Sequence, residues 1–476
     1  MEHKFLLERS ITYLLCGIVI TIPVVFGAVH PIVLGVYTFI LFVGCGGWLL
    51  LNFDLISFKI LSVWTIIPIV LIGYIIFQSI PLPLGLVEFF SPARAERISM
   101  VNQLAGTDLQ SISLSESGIF SMYRSFFVLS LLFYYICLKE LITHNQKVFF
   151  ILFVCIIAVG TFEALYGLIQ FVKPQMGILW LQIKGRAAHG SIIYKNQYAS
   201  FLNMIWPLAF AGGISYFIAP INRRVNQGAR RRMRDTLHEL SATKMRAIIL
   251  IFASVIMVLS ILFSLSRGGI LAMVVVTFLL TAFLPFSKIK KIIFLAVFIT
   301  LIGGYGAILG FDTIISRFDS LGRSGGTRLD IYLLSLPTIA DHWLTGIGLG
   351  SYTLLSPIYL KEFPVNIHYQ RVHCEYIELL IELGIPMATL LFVWIITGIY
   401  KLSTQLYMGL KNMMVDRRKI VLGIAALCGL LGFLLHGIVD FGWRLPANAL
   451  YAVTLVAFIS ASYQPDKINN ASKVSH

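Results

Sequence analysis

The chain has 476 residues, of which 58% are hydrophobic and only 12% charged, and it carries a net charge of +15. A soluble globular protein carries about 25% charged residues, so a single water-soluble core is excluded. Apolar runs long enough to cross ~30 Å of hydrocarbon recur from end to end. The short alternating segments of an outer-membrane barrel are absent. These features define an all-α integral membrane protein, with the whole of 1–476 read as one polytopic membrane domain.

In chain order, the apolar runs predict about twelve transmembrane helices, near 11–29, 31–51, 60–80, 119–138, 147–171, 192–219, 247–265, 269–286, 291–310, 376–400, 419–438 and 445–463. The first follows Met1–Arg9 and lacks a small-residue cleavage site, so it reads as a retained helix and not a signal peptide. The short segments that hold Lys4, Arg9, Lys59, Lys139, Lys147, the basic run Arg223–Arg246, Lys288, Lys290, Lys291, Lys401, Lys411, Arg417, Arg418, Lys419, Lys467 and Lys473 then all fall on one side. Excess Lys and Arg marks the cytoplasmic side, which places both termini there. The Arg223–Arg246 run reads as a topology anchor against anionic membrane lipid, and no nucleic-acid partner is expected. Of six cysteines, Cys16, Cys45, Cys137, Cys155 and Cys428 lie in apolar runs; with Cys374, they form no motif of a disulfide framework or thiolate metal site.

Two outer segments are too long for simple turns. Pro81–Gly118 opens with prolines followed by Leu86, Val87, Phe89 and Phe90, a candidate helix lying along the membrane interface. Phe311–Glu375 is a long outer loop between the ninth and tenth spans, and long loops in compact proteins are usually functional.

Basic residues on the outer side run against the charge rule. Lys184, Arg186 and Lys195 flank the sixth span. Arg267 sits in the tight turn FSLSRGG, followed by Gly268 and Gly269. Arg328, Arg371 and Arg444 stand at or near other outer ends. A single arginine at the hydrocarbon edge usually snorkels to lipid phosphate. Two or three guanidinium forks on one face would instead clamp a pyrophosphate. His30, His189, His342, His368, His373 and His436 map to the same side. If the helix extends back to His373, it shares a face with Ile377, Leu380 and Gly384, while Glu375, Glu378 and Glu382 share another. An imidazole at a bundle mouth can accept a proton from a hydroxyl; a capping or hydrogen-bonded histidine is the plainer reading. The His368/His373 spacing does not suit zinc.

Carboxylates within spans are costly and suggest function. Glu163 is alone in its apolar run. His436, Asp440 and Arg444 would share a face on a continuous helix, and an Asp440–Arg444 ion pair is a structural explanation for both. Thr345–Tyr352, TGIGLGSY, follows no strand and is not a dinucleotide fingerprint; its backbone N–H groups could face an anion.

Together these segments resemble the bacterial O-antigen ligase and Wzy-type polysaccharide polymerase family. The family's PLP is seen as Pro81-Leu82-Pro83, and its YGxxQ as Tyr166-Gly167-Leu168-Ile169-Gln170. Its GR segment is matched by Gly185, Arg186, Gly190, Asn196 and Ala199, and its SxSRG by Ser264-Leu265-Ser266-Arg267-Gly268. Arg328 with Gly346, Gly348, Gly350 and Tyr352 matches the long loop. His373, Tyr376, Leu380, Glu382 and Gly384 match its end, and His436, Asp440 and Phe441 match a final HxxxDF. Three positions depart from the pattern: Tyr194 for an Asn, Gln197 for a His, and Cys374 for an Asn.

The resemblance implies a GT-C-like membrane glycosyltransferase in the bacterial cytoplasmic membrane, acting on its periplasmic or extracellular face. The implied donor is a glycan on undecaprenyl pyrophosphate, and the acceptor a saccharide or lipid A core. On that reading Arg186 and Arg267, with Arg328, bind the pyrophosphate and His373 is the general base of an inverting displacement. Arg371, Tyr376, Lys195, Asn196 and His189 are substrate-binding candidates. No cofactor or metal is expected. Ligation and polymerisation stay open. A secondary transporter or lipid-linked oligosaccharide flippase is the alternative; a transporter would be expected to show two related halves around a midplane site, and no internal repeat is visible.

Overall fold

The computed structural model describes residues 2–52, 63–182, 185–218, 229–285, 287–309, 321–361, 363, 369–411 and 416–463. Lys59, Lys184, Arg223, Arg224, His368, Lys467, Lys473 and both extreme termini lie outside the described residues.

Each of the twelve predicted spans falls on a helix: α1 Glu2–Val24, α2 Pro31–Leu51, α3 Val63–Ser79, then, after two short helices, α6 Gly118–His144, α7 Gln146–Val172, α8 Lys195–Ile218, α9 Ala229–Phe263, α10 Arg267–Phe283 and α11 Lys288–Leu309, and, after two more, α14 Glu375–Lys411, α15 Arg417–His436 and α16 Pro446–Ser462. Among the described residues, seven helical segments are long and apolar enough to cross a membrane: Leu6–Val24, Pro31–Leu51, Gly118–His144, Gln146–Val172, Ala242–Phe263, Glu375–Lys411 and Arg417–His436. Trp64–Ser79, Arg267–Phe283 and Pro446–Ser462 are apolar but shorter.

The helices begin where the sequence supplies acceptors for their unpaired N–H groups. Ser117 caps α6, Asn145 caps α7, Ser266 caps α10 and Asp416 caps α15. Pro31 and Pro446 occupy first turns, where no N–H is needed.

The bundle centres on α8 and α15. Phe201, Leu202, Met204, Ile205, Trp206 and Leu208 on α8 are fully buried or nearly so, as are Ala425, Ala426 and Cys428 on α15. In lipid, helix association depends on close van der Waals packing and not on apolar burial alone. The glycines of α15 permit that approach: a Cβ on Gly429 would lie 2.8 Å from the Met204 carbonyl oxygen, and one on Gly432 2.2 Å from Val276 Cγ2. Helices α7, α9, α10 and α16 pack around this pair, and α6 packs on α2 and α3.

The two long connections are structured. Pro81–Gly118 holds a two-stranded antiparallel ribbon, Pro81–Pro83 with Ser111–Ser113, around α4 Leu84–Phe90 and α5 Pro92–Ala105. Within 311–375, residues 321–341 form α12, Leu321–Asp341, and Tyr352–Tyr359 forms α13. The expected long loop is therefore largely helical where it is described. Its glycine turn docks on α14 at a break in that helix. Gly384 there has φ 75° and ψ 165°, and the Gly346 site is so close that a Cβ would lie 2.4 Å from the Glu382 carbonyl oxygen.

Candidate functional site

Every connection that carries a family-like motif comes to one end of the bundle. Ala188 N–H donates to Phe263 O, Glu375 N–H to Gly437 O, and Glu116 N–H to Ile347 O, joining segments distant in sequence. The Gln78 side-chain amide donates to the carbonyls of Thr345 (2.5 Å) and Glu382 (3.0 Å).

His373 stands two residues before α14, not on it. Its φ of 64° is unusual for a side-chain-bearing residue, a conformation that costs about 1–3 kcal/mol and recurs at functional sites. The expectation that it extends the helix face of Ile377 and Leu380 is thus corrected: the left-handed turn swings the imidazole away from that face. Its Nδ1 lies 3.9 Å from Asp440 Oδ1. Its ring meets Phe441 edge-on at 5.0 Å, and its carbonyl accepts from the Tyr332 hydroxyl at 2.7 Å.

Asp440 belongs to a turn, because α15 ends at His436. The continuous helix expected through His436, Asp440 and Arg444 does not form. Asp440 also receives the Asn196 amide at 3.4 Å, and Gln197 donates to the neighbouring Phe441 carbonyl at 3.3 Å. Arg328 donates to the Val439 carbonyl at 2.9 Å, holding the turn from the α12 side. His436 lies against Gly268: a Cβ there would be 2.8 Å from His436 Nε2. Gly268 follows Arg267, the first residue of α10, and Gly269 N–H is capped by Ser266 at 3.1 Å. Arg328, His373 and Asn196 thus meet the turn that runs from His436 to Asp440, and Gly268, next to Arg267, packs against its His436.

Arg186 approaches from the adjacent loop. It donates to the Phe171 carbonyl at 3.0 Å and lies over the Phe171 ring at 4.5 Å. Phe171 in turn packs on Phe263 at 4.5 Å, four residues before Arg267. The loop is tied to α7 by the YGxxQ glutamine: Gln170 donates to Gly177 O (2.8 Å) and Gly190 O (2.7 Å) and accepts from His189 N–H. Glu163 takes the Ser191 N–H and hydroxyl at 2.7 and 2.6 Å, so this buried carboxylate anchors the loop. His189 Nδ1–H donates to the Ile193 carbonyl at 2.9 Å. Burial, with Lys195 nearby, lowers its pKa against the opposing pull of that carbonyl. Lys195 opens α8.

Arg444 does not pair with Asp440. It reaches Glu382 at 2.7 Å, Glu375 at 3.2 Å and Glu378 at 3.4 Å. Burial alone would drive the charge off this guanidinium; the three carboxylates outweigh burial and raise its pKa above the ordinary arginine value. Arg371 joins Glu378 at 2.9 Å, and Val372 and Trp443 donate their N–H groups to Glu378 and Glu375. The physical reason for the change of partner is that three carboxylates on one buried helical face need a cation far more than a single turn aspartate does. Tyr376 donates to Leu434 O at 2.9 Å and packs on Trp443, within the bundle end. The glycine turn does not hold its N–H groups open: those of Gly346, Ile347 and Gly348 donate to the carbonyls of His342, Ile381 and Glu382.

A third cluster joins α5 to the end of α12. Arg94 and Arg97 pair with Glu116. Arg97 donates to His342 Nε2 at 3.2 Å, which leaves Nδ1 protonated to donate to Ser91 Oγ at 2.9 Å. Burial, with Arg97 beside it, lowers the His342 pKa to about 4. Among the described residues, no three His, Cys, Asp or Glu side chains group as a metal site.

The structure is that of a helical membrane protein with arginines, imidazoles and a carboxylate gathered at one end of its bundle. Residues 252–393 match the family model described as O-antigen ligase, which supports the O-antigen ligase and Wzy-type family that the motif order resembles. The matched segment includes Arg267, Arg328, Arg371, His373 and the glutamate face. No curated protein matches the chain.

The sequence flagged Glu375, Glu378 and Glu382 as one face but missed what it serves. A stripe of three acids opening a span calls for a buried cation, and Arg444, which sequence spacing assigned to Asp440, was the signal that could have supplied it.

Proposed function

We propose that this protein transfers or polymerises a glycan from an undecaprenyl-pyrophosphate donor onto a saccharide or lipid A-core acceptor, on the outer side of the cytoplasmic membrane. The observation that carries this reading is the meeting of His373, Asp440 and Arg328 at the N-terminus of α10, where Arg267 stands, within and beside the segment that matches the O-antigen ligase family.

His373 faces Asp440 through Nδ1, which leaves Nε2 to accept the proton of an acceptor hydroxyl. The hydroxyl oxygen forms the new bond to the anomeric carbon from the side opposite the leaving group, and the carbon–oxygen bond to the pyrophosphate breaks in the same displacement. The leaving pyrophosphate takes the electron pair. Arg267, Arg186 and Arg328 stabilise the charge that develops there, a contribution that a preorganised cationic site makes strongly. The helix N-terminus at Arg267 adds in the same sense. No metal enters this scheme. Asn196, His189, Lys195, Arg371 and Tyr376 are assigned to shaping or lining the glycan cleft.

The test is glycan transfer by purified protein from lipid-linked donor. His373→Ala, Arg267→Ala and Arg186→Ala each lose transfer while remaining folded, and wild-type activity persists in EDTA. Full activity in all three variants would overturn the assignment. Activity lost in EDTA and restored by magnesium would overturn the metal-free scheme.

A further inference from the structure

Arg124 lies in the second turn of α6, in SGIFSMYRSFF. An ionisable residue within a span is costly and faces the bundle interior or a polar cavity when it persists. The neighbouring Ile119, Phe120 and Phe126 are exposed on the outside of the bundle, whereas Arg124 is half-buried. One turn before it, Ser121 donates to the Leu349 carbonyl at 3.1 Å, and Ser115 bridges to Ser121 and Ser351. These bonds seat the glycine turn on α6. Gly350, at φ 83°, then comes so near that a Cβ would lie 3.5 Å from Arg124 Cγ and 3.7 Å from Nε.

Three arginines meet around the glutamate face, and they are used differently. Arg444 engages all three carboxylates and Arg371 engages Glu378. Arg124 reaches this face through the glycine turn, whose Gly348 N–H donates to the Glu382 carbonyl and whose Gly350 lies against Arg124, yet among the described residues no group accepts a hydrogen bond from it or pairs with it within 4 Å. Its nitrogens are also not among the side-chain atoms sealed from solvent. A guanidinium carries five donors, and one left over after the local acids are engaged, beside a second arginine with 21% of its side chain exposed, wants an external anion.

We propose that Arg124, with Arg371 beside it, forms a second anion subsite, separate from the Arg186, Arg267 and Arg328 group, that takes one oxyanion, a phosphate or a carboxylate. Arg371 is two residues from His373, so the subsite flanks the proposed transfer site. It rests on the transferase reading only for the claim that the oxyanion is carried by a substrate.

The test uses the full chain in phosphatidylcholine nanodiscs, treated with an arginine-specific dicarbonyl reagent and read at Arg124 by peptide mass spectrometry. Three arms add inorganic phosphate, glucuronate, or phosphatidylglycerol in the disc. Arg124 is expected to react without an anion and to be protected several-fold in at least one arm. Protection by phosphatidylglycerol alone assigns a lipid-borne phosphate; protection by either soluble anion assigns a free or glycan-borne group. An unreactive Arg124, or no protection in any arm, would overturn the subsite. In the transfer assay, Arg124→Gln is expected to raise KM for donor or acceptor with kcat little changed, and Arg124→Lys to restore part of it. Unchanged KM for both substrates would overturn the assignment to a substrate. If the Arg186, Arg267 and His373 variants keep full transfer, the catalytic reading fails while protection at Arg124 still stands.

Discussion

Arg444 Nη1 lies 2.7 Å from Glu382 Oε2, joining the turn before α16 to the last acid before the α14 break. The same guanidinium holds Glu375 and Glu378. It fixes the first turns of α14, and with them His373, against the Asp440 turn. Removing one partner of a buried ion cluster leaves the others uncompensated and costs about 3–5 kcal/mol. Arg444→Leu is expected to lower the thermal unfolding temperature in detergent, with Arg444→Lys intermediate because an ammonium cannot fork to three carboxylates. An unchanged unfolding temperature in Arg444→Leu would remove the cluster's structural role.

The Ser91–His342–Arg97 chain predicts a pH dependence. His342 is neutral in the fold with its pKa lowered to about 4, while in the unfolded chain it takes a proton near its ordinary 6.5. Between these values the unfolded state binds more protons, so stability is full above about pH 6.5 and falls as the pH drops toward 4. The loss across the window is roughly 3 kcal/mol. Unfolding temperatures at pH 7.5 and 5 should differ in wild type, and the His342 contribution to that difference should vanish in His342→Gln.

Gly346 combines φ 67° with a Cβ position 2.4 Å from the Glu382 carbonyl. Gly346→Ala must strain the turn and push it off α14, costing at least about 1–3 kcal/mol. Lower folded yield on size exclusion, together with weaker transfer, is the expected result. Gly106→Ala makes the comparison: it has φ 64° but nothing within 4 Å of its Cβ, so it bears the backbone strain alone and should cost less.

Asp440 faces His373 across 3.9 Å. If the carboxylate orients the imidazole for proton transfer, Asp440→Asn lowers kcat and leaves donor KM near its wild-type value. His373→Ala should cost ~10²–10⁴-fold, the range of general-base contributions. Combining the two should cost little more than His373→Ala alone, since both act on one step. Additive losses would separate their roles.

Arg328 donates to Val439 O, one residue before Asp440. Arg328→Ala should therefore lower kcat by loosening the Asp440 turn as well as weaken donor binding. Arg267→Ala, whose side chain opens α10, is expected to act on leaving-group charge, with a loss of roughly 10²–10³-fold in kcat. Steady-state rates with purified lipid-linked donor distinguish the two patterns.

Much of the helix pattern was legible because lipid demands it. A backbone crossing hydrocarbon must satisfy its own hydrogen bonds, so an apolar run of sufficient length reads as a helix almost regardless of its neighbours. Arg186, Arg267 and Arg328 were visible for a related reason: each sits where charge is disfavoured. Partner choice was not legible. Asp440 and Arg444 are four residues apart and would face each other on a helix, but α15 stops at His436. Once the chain turns there, sequence spacing no longer predicts contact. His373 likewise lay on a helix face by spacing and on a left-handed turn in space. The glycine turn looked like an open anion cradle, yet its Ile347 and Gly348 N–H groups are taken by α14 carbonyls, a use set by a docking surface remote in sequence.

Composition and apolar run length were enough to establish a helical membrane protein, to mark segments that fold as helices, and to single out the residues that break the charge and hydropathy rules. Those properties follow from each segment's own exchange with lipid and water. Tertiary packing is what gave Arg444 three glutamate partners, brought Asp440 to within 3.9 Å of His373, and left Arg124 without an acceptor among the described residues. The ion-pair outcomes depend on distances of 2.7–3.9 Å between segments more than sixty residues apart, and buried charge is matched by whatever the packing brings within reach, not by what is near in the chain.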